Sequence, residues 1–533
     1  MLDVVLYNGS VYSMENGQVY EAIGVEGDEV RFLGSDEEAA RLPAGQRIDL
    51  QGCAVLPGFN EGHMHLASYA FTYCNAPLFD CRSVEECQEA VRLYLRKHPE
   101  ASWVYARGWN EDYFMAKRYP TRADLDAIST EIPILMVRVC GHLGVCNSAA
   151  FERIRALREA QEWQEQMQEE SGLLYEGACE LFYRILPKPT QAYVEELLLA
   201  GMKALNRCGI TTCQTDDFVA IPGADWRQMI EAYQSLEAKG QMTVRVYEQC
   251  IFENLTGLQA FLQAGYRTGQ GGEYFRIGPL KLIQDGSLGA KTALLSRPYK
   301  GSKDEYGLAV FTQQELNALI DTAHEAGMQI AVHCIGDRAM QMTLDALERA
   351  QKRMPRSDCR HGLVHVQISS REILERMSRD GVIAYIQPVF IEYDMDMAAA
   401  RVQEAQQECI YAWKSMEELG ILTVGGSDAP IESFDVLNNL YYAVTREKLA
   451  GGPKGGWKPE QKVTVPEAVA MFTTHAAKAC FQEERIGRLL PGMKADLVVL
   501  SQDPFTTEPH ALPKIQVEAT MTGGRVVYQK EKR

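Results

Sequence analysis

Basic residues are in short supply. Only 54 lysines and arginines stand against 72 aspartates and glutamates, a net charge of −18 over 533 residues. Nucleic acids and anionic membranes are bound through basic footprints, so neither is expected as a partner. No apolar run approaches the roughly 20 residues that span a bilayer. The opening stretch MLDVVLYNGSVYSMENG lacks a basic segment and a long apolar core, and reads as a folded strand rather than a signal peptide. Fourteen cysteines are scattered with no CxxC pair, which fits a reducing compartment and a cytoplasmic location. Their tightest grouping, Cys140-Gly141-His142 with Cys146, has the spacing of no standard zinc module. Histidines number only ten, so where they fall is informative.

What is present has two textures. Residues 1–55 carry short strands broken by turns, and the last fifty residues are alike, with Gly523-Gly524 as a hairpin turn. Neither end holds enough strands for a sheet of its own. Residues 1–55 plus 485–533 are therefore expected to form one composite β-sandwich domain. Between them, over 56–484, short apolar runs alternate with amphipathic stretches at 54–66, 209–217, 242–250, 275–287, 328–337, 361–367, 381–388 and 422–430. Eight β-then-α units predict an α/β fold, a (β/α)8 TIM barrel. The first interval is too long: 144 residues separate His65 from Gly209, so an insertion over about 70–205 is expected on the face that carries a barrel's chemistry. It holds the aromatic cluster WVYARGWNEDYF, either its own core or the lining of a substrate pocket, with Trp109 as the substrate-contact candidate. Its polar stretch RIRALREAQEWQEQMQEE reads as a helix with a solvated face.

Candidate ligands fall at strand ends. Residues i and i+2 of a strand point to one side, so His63 and His65 can reach one ion together, with Gly58 and Gly62 leaving room for a bulky centre. His333 ends the fifth apolar run, His365 the sixth, and Asp428 the eighth. A single strand-end histidine is more often a satisfied polar residue, and a single aspartate a turn or cap. Four of ten histidines at three strand ends, with an aspartate on the last, make a metal centre the better reading. Lys281 lies among apolar neighbours on the fourth run. There a neutral amine is favoured, able to add carbon dioxide and bridge two cations as a carbamate; otherwise the lysine pairs with a nearby carboxylate and the site holds one ion. Asp337 reads as a helix cap, His475 as helix packing, and His98, His324 and His510 as surface residues.

The order HxH, Lys, His, His, Asp over strands one, four, five, six and eight resembles that of the amidohydrolase superfamily. The segments DGSLGAKTALL, HCIGDRAM, HVQ, GSDAPIE and LPGMKADLVVL are similar to its YtcJ-like branch, related to N-substituted formamide deformylases. The resemblance covers essentially the whole chain. It implies that His63, His65, Lys281, His333, His365 and Asp428 occupy the metal and catalytic positions. It also implies that His142 and Glu176 face the substrate, although Cys140 stands where an aspartate often precedes the Gly-His pair. Gln387 joins them as a substrate-contact candidate.

The chemistry expected is hydrolysis of a C–N bond, of amide or N-formyl type, in a small molecule. One or two divalent ions, zinc by default with manganese or iron as alternatives, would activate a water. Asp428 would take the water proton and pass it to the leaving nitrogen, with His365 or His142 supplying the oxyanion contact. The first alternative is a deaminase on the same barrel, disfavoured because no HxxE follows the sixth strand. The second is a non-catalytic regulatory protein, disfavoured because every ligand slot is filled. A homodimer is a possible assembly.

Overall fold

The eight apolar runs form one eight-stranded parallel sheet in the computed structural model, which describes residues 1–73 and 75–531. Its strands, numbered here by position in the barrel, are Phe59–Met64, Ile210–Thr215, Arg245–Ile251, Phe275–Ile283, Ile330–Cys334, Gly362–His365, Ile383–Ile386 and Thr423–Gly425. Each neighbour in the sheet is also the neighbour in sequence, as repeated βα units demand. The strands are buried almost throughout, which is why they read as unbroken apolar runs rather than as alternation. Helices follow them with conventional ends. In Arg371–Asp380, Ser370 accepts from the Ile373 N–H, Gly381 closes the helix at φ +64, and Ile373, Leu374 and Met377 supply the buried face.

No ladder joins the eighth strand to the first among the described residues, and separate hydrogen bonds close that seam. The Asp428 N–H donates to His63 O at 2.9 Å and the His65 N–H to Ala429 O at 2.7 Å. The buried carboxylate of Glu61 accepts from the N–H groups of His63 (3.3 Å) and Ser427 (2.7 Å). Glycine permits the approach: a Cβ on Gly62 would lie 2.4 Å from Val424, and one on Gly426 2.7 Å from the His63 nitrogen. This corrects the expected role of Gly58 and Gly62. A Cβ on Gly58 would meet Thr211 at 2.3 Å, so both glycines serve strand packing rather than an open space.

The termini share one six-stranded sheet, but Leu2–Tyr7, Ala22–Glu26, Glu29–Gly34 and Ala44–Asp49 form a four-stranded sheet from the N-terminal end alone, which corrects the expectation that neither end could build one. Ala54–Pro57 pairs with Ser10–Tyr12 on one side and Leu497–Leu500 on the other, and Val4, Leu6, Ile23, Val25, Leu497 and Val499 lie in one core. Buried Arg245 on the third barrel strand reaches Asp496, at the start of that C-terminal strand, through Nε at 2.6 Å and Nη2 at 3.1 Å. These sheets and the barrel belong to one compact unit. The second unit is Leu66–Gly201 with Asp217–Tyr233, so it takes in a stretch after the second barrel strand that the reading of 70–205 did not include.

The second unit has its own six-stranded sheet, centred on Val104–Trp109, Ile134–Arg138 and Leu143–Cys146. The polar stretch expected to be one helix, residues 153–170, is α-helical only in its first three residues, the end of the helix Ser148–Arg155. It continues as a 3-10 run, Arg158–Gln166, in which Ala160 is the one buried side chain, so no apolar stripe holds an α-helix there. Among the described residues no helix is long and apolar enough to cross a membrane.

Candidate metal centre

The strand ends bring the expected side chains together within the barrel unit. His63 and His65 share a side of the first strand with ring centroids 5.3 Å apart, and His63 and His365 lie 5.8 Å apart across the barrel. Ligand atoms of His63, His365 and Asp428 all fall within 4.8 Å of one another, and so do those of His63, His65 and Asp216. Asp216, directly after the second strand, is the residue the sequence reading missed. One of its oxygens bonds His65 Nδ1 and the other lies 3.0 Å from Lys281 Nζ. A strand-end carboxylate in QTDD on the same face was the available signal. Two of the site residues hold left-handed backbones, His365 at φ +80 and Asp428 at φ +60, a strained choice for histidine.

Hydrogen bonding fixes which nitrogen carries the hydrogen on three of the imidazoles, while both nitrogens of His65 face carboxylates. Gln249 Oε1 accepts from His63 Nδ1 at 2.8 Å, and Gln387 Oε1 from His365 Nδ1 at 2.8 Å. His333 Nε2 faces two acceptors, Gly286 O at 3.2 Å and Asp285 Oδ1 at 3.5 Å, and so carries its hydrogen there. That leaves bare lone pairs on His63 Nε2, His365 Nε2 and His333 Nδ1. The last two confront each other at 2.8 Å with no hydrogen left to share, and His63 Nε2 faces the carboxylate of Asp428 at 3.3 Å, two acceptors with no hydrogen between them. Lone pairs converging in a buried space call for a cation. The donor set of imidazole and carboxylate suits a divalent transition metal.

The electrostatics agree for two of the rings. Burial, with Lys281 nearby, holds His333 down to about 4, and burial beside His333 keeps His365 well below the usual histidine range, so both rings are neutral at pH 7. His65 differs: burial opposes its charge, but the carboxylates of Asp216 and Asp428 outweigh it and lift the ring to about 10, so without a cation it is protonated and ligation would displace the Nε2 proton. Burial likewise works against ionised Asp428, yet the imidazoles of His63 and His65 hold its carboxyl well below the ordinary range. Glu61, beneath them, is pushed up to about 8 by burial.

A second cluster has similar composition and a different meaning. At the other end of the barrel, His324 Nδ1 lies 3.0 Å from His361 Nε2, with Cys359 close by. Here the Ile330 N–H donates to His361 Nδ1 (3.1 Å), and His324 Nε2 donates to Met354 O (2.7 Å). The donors run in one direction, so the His361 Nε2 hydrogen already fills the gap between the rings. The pair is a satisfied structural link, and His324 is buried rather than on the surface as expected.

Other expected contacts land elsewhere. Trp109 is fully buried in the core of the second unit, and its Nε1 donates to Met136 O at 3.0 Å. A side chain with no exposed surface cannot line a pocket, so its assignment to substrate contact is corrected. Gln387, also proposed for substrate, is buried and engaged behind His365. His142 and Glu176 are exposed and meet at 2.8 Å, each one residue outside the paired strands Leu143–Cys146 and Leu173–Tyr175 of the second unit, with Glu176 at φ +44. Asp337 is the first residue of its helix, with Gly336 at the cap. Its carboxylate anchors Ser296, whose N–H it accepts at 2.8 Å.

Comparison with known proteins gives consistent matches. The sequence model of the Amidohydrolase family matches residues 46–528. YtcJ of Bacillus subtilis (strain 168), assigned to the amidohydrolases, is 30% identical over 544 aligned positions, covering 99% of this chain and 100% of its own. N-substituted formamide deformylase of Arthrobacter pascens is 24% identical, with 99% of each chain covered. The crystal structure of an uncharacterized metal-dependent hydrolase from Pyrococcus furiosus aligns with a TM-score of 0.77 at 25% identity, over 94% of this chain and 100% of that one.

Proposed function

The chain belongs to the amidohydrolase family, and from that premise we propose that it hydrolyses a carbon–nitrogen bond of a small molecule, an amide or N-formyl amine, with a divalent cation. His63, His65, His333, His365 and Asp428 would hold the ion, and zinc is the first to test. The observation that carries the reading is the pair of opposed lone pairs on His333 and His365, beside a His63 Nε2 that faces only the Asp428 carboxylate. When bound, the cation supplies Lewis acidity and lowers the pKa of an adjacent water. Asp428, ionised and at the mouth of the eighth strand, takes the proton of the attacking water and returns it to the departing nitrogen. Lys281 and Asp216 form a buried ion pair behind His65 that neutralises the second carboxylate. The name of the Arthrobacter relative favours an N-formyl substrate. A cytosolic location belongs to the same proposal, supported by cysteines that are free wherever described.

The test is a panel of N-formyl and N-acyl amines incubated with the zinc-loaded protein, reading released amine, formate or carboxylate, and ammonia. Amine with formate or carboxylate supports the proposal. Ammonia alone moves the assignment to a deaminase, and a protein that binds no divalent cation overturns the centre itself.

A further inference from the structure

Two glutamines stand where ligating histidines are most often backed by a carboxylate, a backbone carbonyl or water. Gln249 lies on the third barrel strand with no exposed surface, and Gln387 follows the seventh strand, 2% exposed. Each directs Oε1 at an imidazole Nδ1 at 2.8 Å. Each also places its amide nitrogen toward a backbone carbonyl, Gln249 at Gly62 O (3.4 Å) and Gln387 at Tyr385 O (3.5 Å). Those second contacts decide the orientation of the amide, because only a nitrogen can donate to a carbonyl. The oxygen must therefore face the ring, the ring must donate from Nδ1, and Nε2 must carry the lone pair.

We propose that Gln249 and Gln387 are positioning residues that lock His63 and His365 in the Nδ1–H tautomer and keep the cation's imidazole ligands backed by neutral groups. The proposal rests on the metal-dependent reading above. The third ring of the set, His65, has a carboxylate behind it, but that carboxylate, Asp216, is paired with Lys281. The fourth, His333, has a backbone carbonyl at 3.2 Å and Asp285 at 3.5 Å. An unshared carboxylate behind an imidazole raises the ring's basicity and pushes more charge onto the ion. Amides fix geometry just as well without doing so, and the ion keeps more of its electron-withdrawing power for the carbonyl and water it polarises. Both glutamines thus serve the centre from behind, without touching the substrate.

The test compares Gln249→Met and Gln387→Met, which keep bulk and lose the acceptor, with Gln249→Glu and Gln387→Glu, which keep the acceptor and add charge. Zinc affinity is measured by competition with a chromophoric chelator, and kcat/KM is followed across pH. The methionine variants should lose roughly 10- to 100-fold in affinity. The glutamate variants should bind at least as tightly as the parent, with the acidic limb of kcat/KM moved to higher pH. Parent-like affinity in both methionine variants, or an unmoved pH profile in both glutamate variants, overturns the proposal. Failure of the parent protein to bind zinc would instead overturn the metal-dependent reading on which it rests. Each pair has a second position, so one variant that does not fold leaves the comparison decisive.

Discussion

Asp428 has a left-handed backbone and lies within 3.3 Å of two imidazole nitrogens, His65 Nε2 at 2.9 Å and His63 Nε2 at 3.3 Å. Its carboxylate is the group in the barrel best placed to accept a proton without leaving the centre. Asp428→Asn keeps the shape and one oxygen and removes the basicity. With four histidines still present, the variant should retain most of its zinc, measured by elemental analysis, while kcat falls by about 10²- to 10⁴-fold. Unchanged turnover would remove Asp428 from the mechanism. The Lys281–Asp216 pair makes a second residue-level prediction. A carbamate on Lys281 would set an anion against Asp216, where now an ammonium lies 3.0 Å away. Two buried anions at that distance need a second cation between them. Metal stoichiometry should therefore rise from one to two together with carbamate content when bicarbonate is added. Two bound ions with an unmodified amine would break that coupling.

The elements of the barrel are held at their far ends by a different device. His361 precedes the sixth strand, Ile330 begins the fifth, His324 closes the helix Gln313–Glu325, and Met354 follows the helix Asp337–Arg353; one chain of hydrogen bonds crosses all four. The chain works only while His361 accepts at Nδ1, that is, while it is neutral. Burial, reinforced by His324 and Arg356, holds His361 down to about 3, against about 6.5 for an unfolded histidine. Between those values the unfolded chain binds the extra proton, so stability rises with pH there. The contribution is complete above about pH 6.5 and is lost as pH falls toward 3. Between pH 7 and pH 5 the loss should be about 2 kcal/mol. His361→Asn should flatten the pH dependence of unfolding by denaturant by about one proton while leaving zinc content unchanged. A variant that lost zinc instead would make this cluster a metal site. The two histidine clusters also show what the sequence could tell. Strand ends, their order and the HxH pair were legible because period, burial and spacing are local. His361 and His365 lie four residues apart in one apolar run, and no local pattern distinguishes a lone pair from a filled one. That difference lies in partners distant in sequence, Gln387 for one and Ile330 for the other. Asp216 escaped for a related reason. Its significance comes from His65 and Lys281, which are 151 and 65 residues away in the chain. Trp109 escaped because an aromatic in a strand looks the same whether it faces a core or a pocket.

At the scale of the whole molecule, every proposed ligand lies in one of the two compact units, and the second unit has a sheet and apolar core of its own. The ligands come from strands one, five, six and eight, so an ion held among them ties together strand ends that are far apart in the chain. A cation that binds only the folded barrel stabilises it by mass action, about 4 kcal/mol when free metal exceeds its dissociation constant a thousandfold. Chelation removes that contribution from the barrel's opening equilibria and from no equilibrium confined to the insertion. Hydrogen exchange separates the two. Treatment with a strong chelator should speed exchange at the amides of Ile330–Cys334, Gly362–His365 and Phe59–Met64. The central insertion strands, Val104–Trp109 and Ile134–Arg138, should keep their rates, because none of their hydrogen bonds depends on the ion. Adding zinc back should restore protection in the barrel strands. Adding magnesium at equal concentration should not, since four imidazoles suit zinc and a small hard cation prefers oxygen. Equal acceleration in both units would mean that the ion stabilises the molecule as one cooperative body. No acceleration anywhere would mean that the opposed histidines hold their geometry without it.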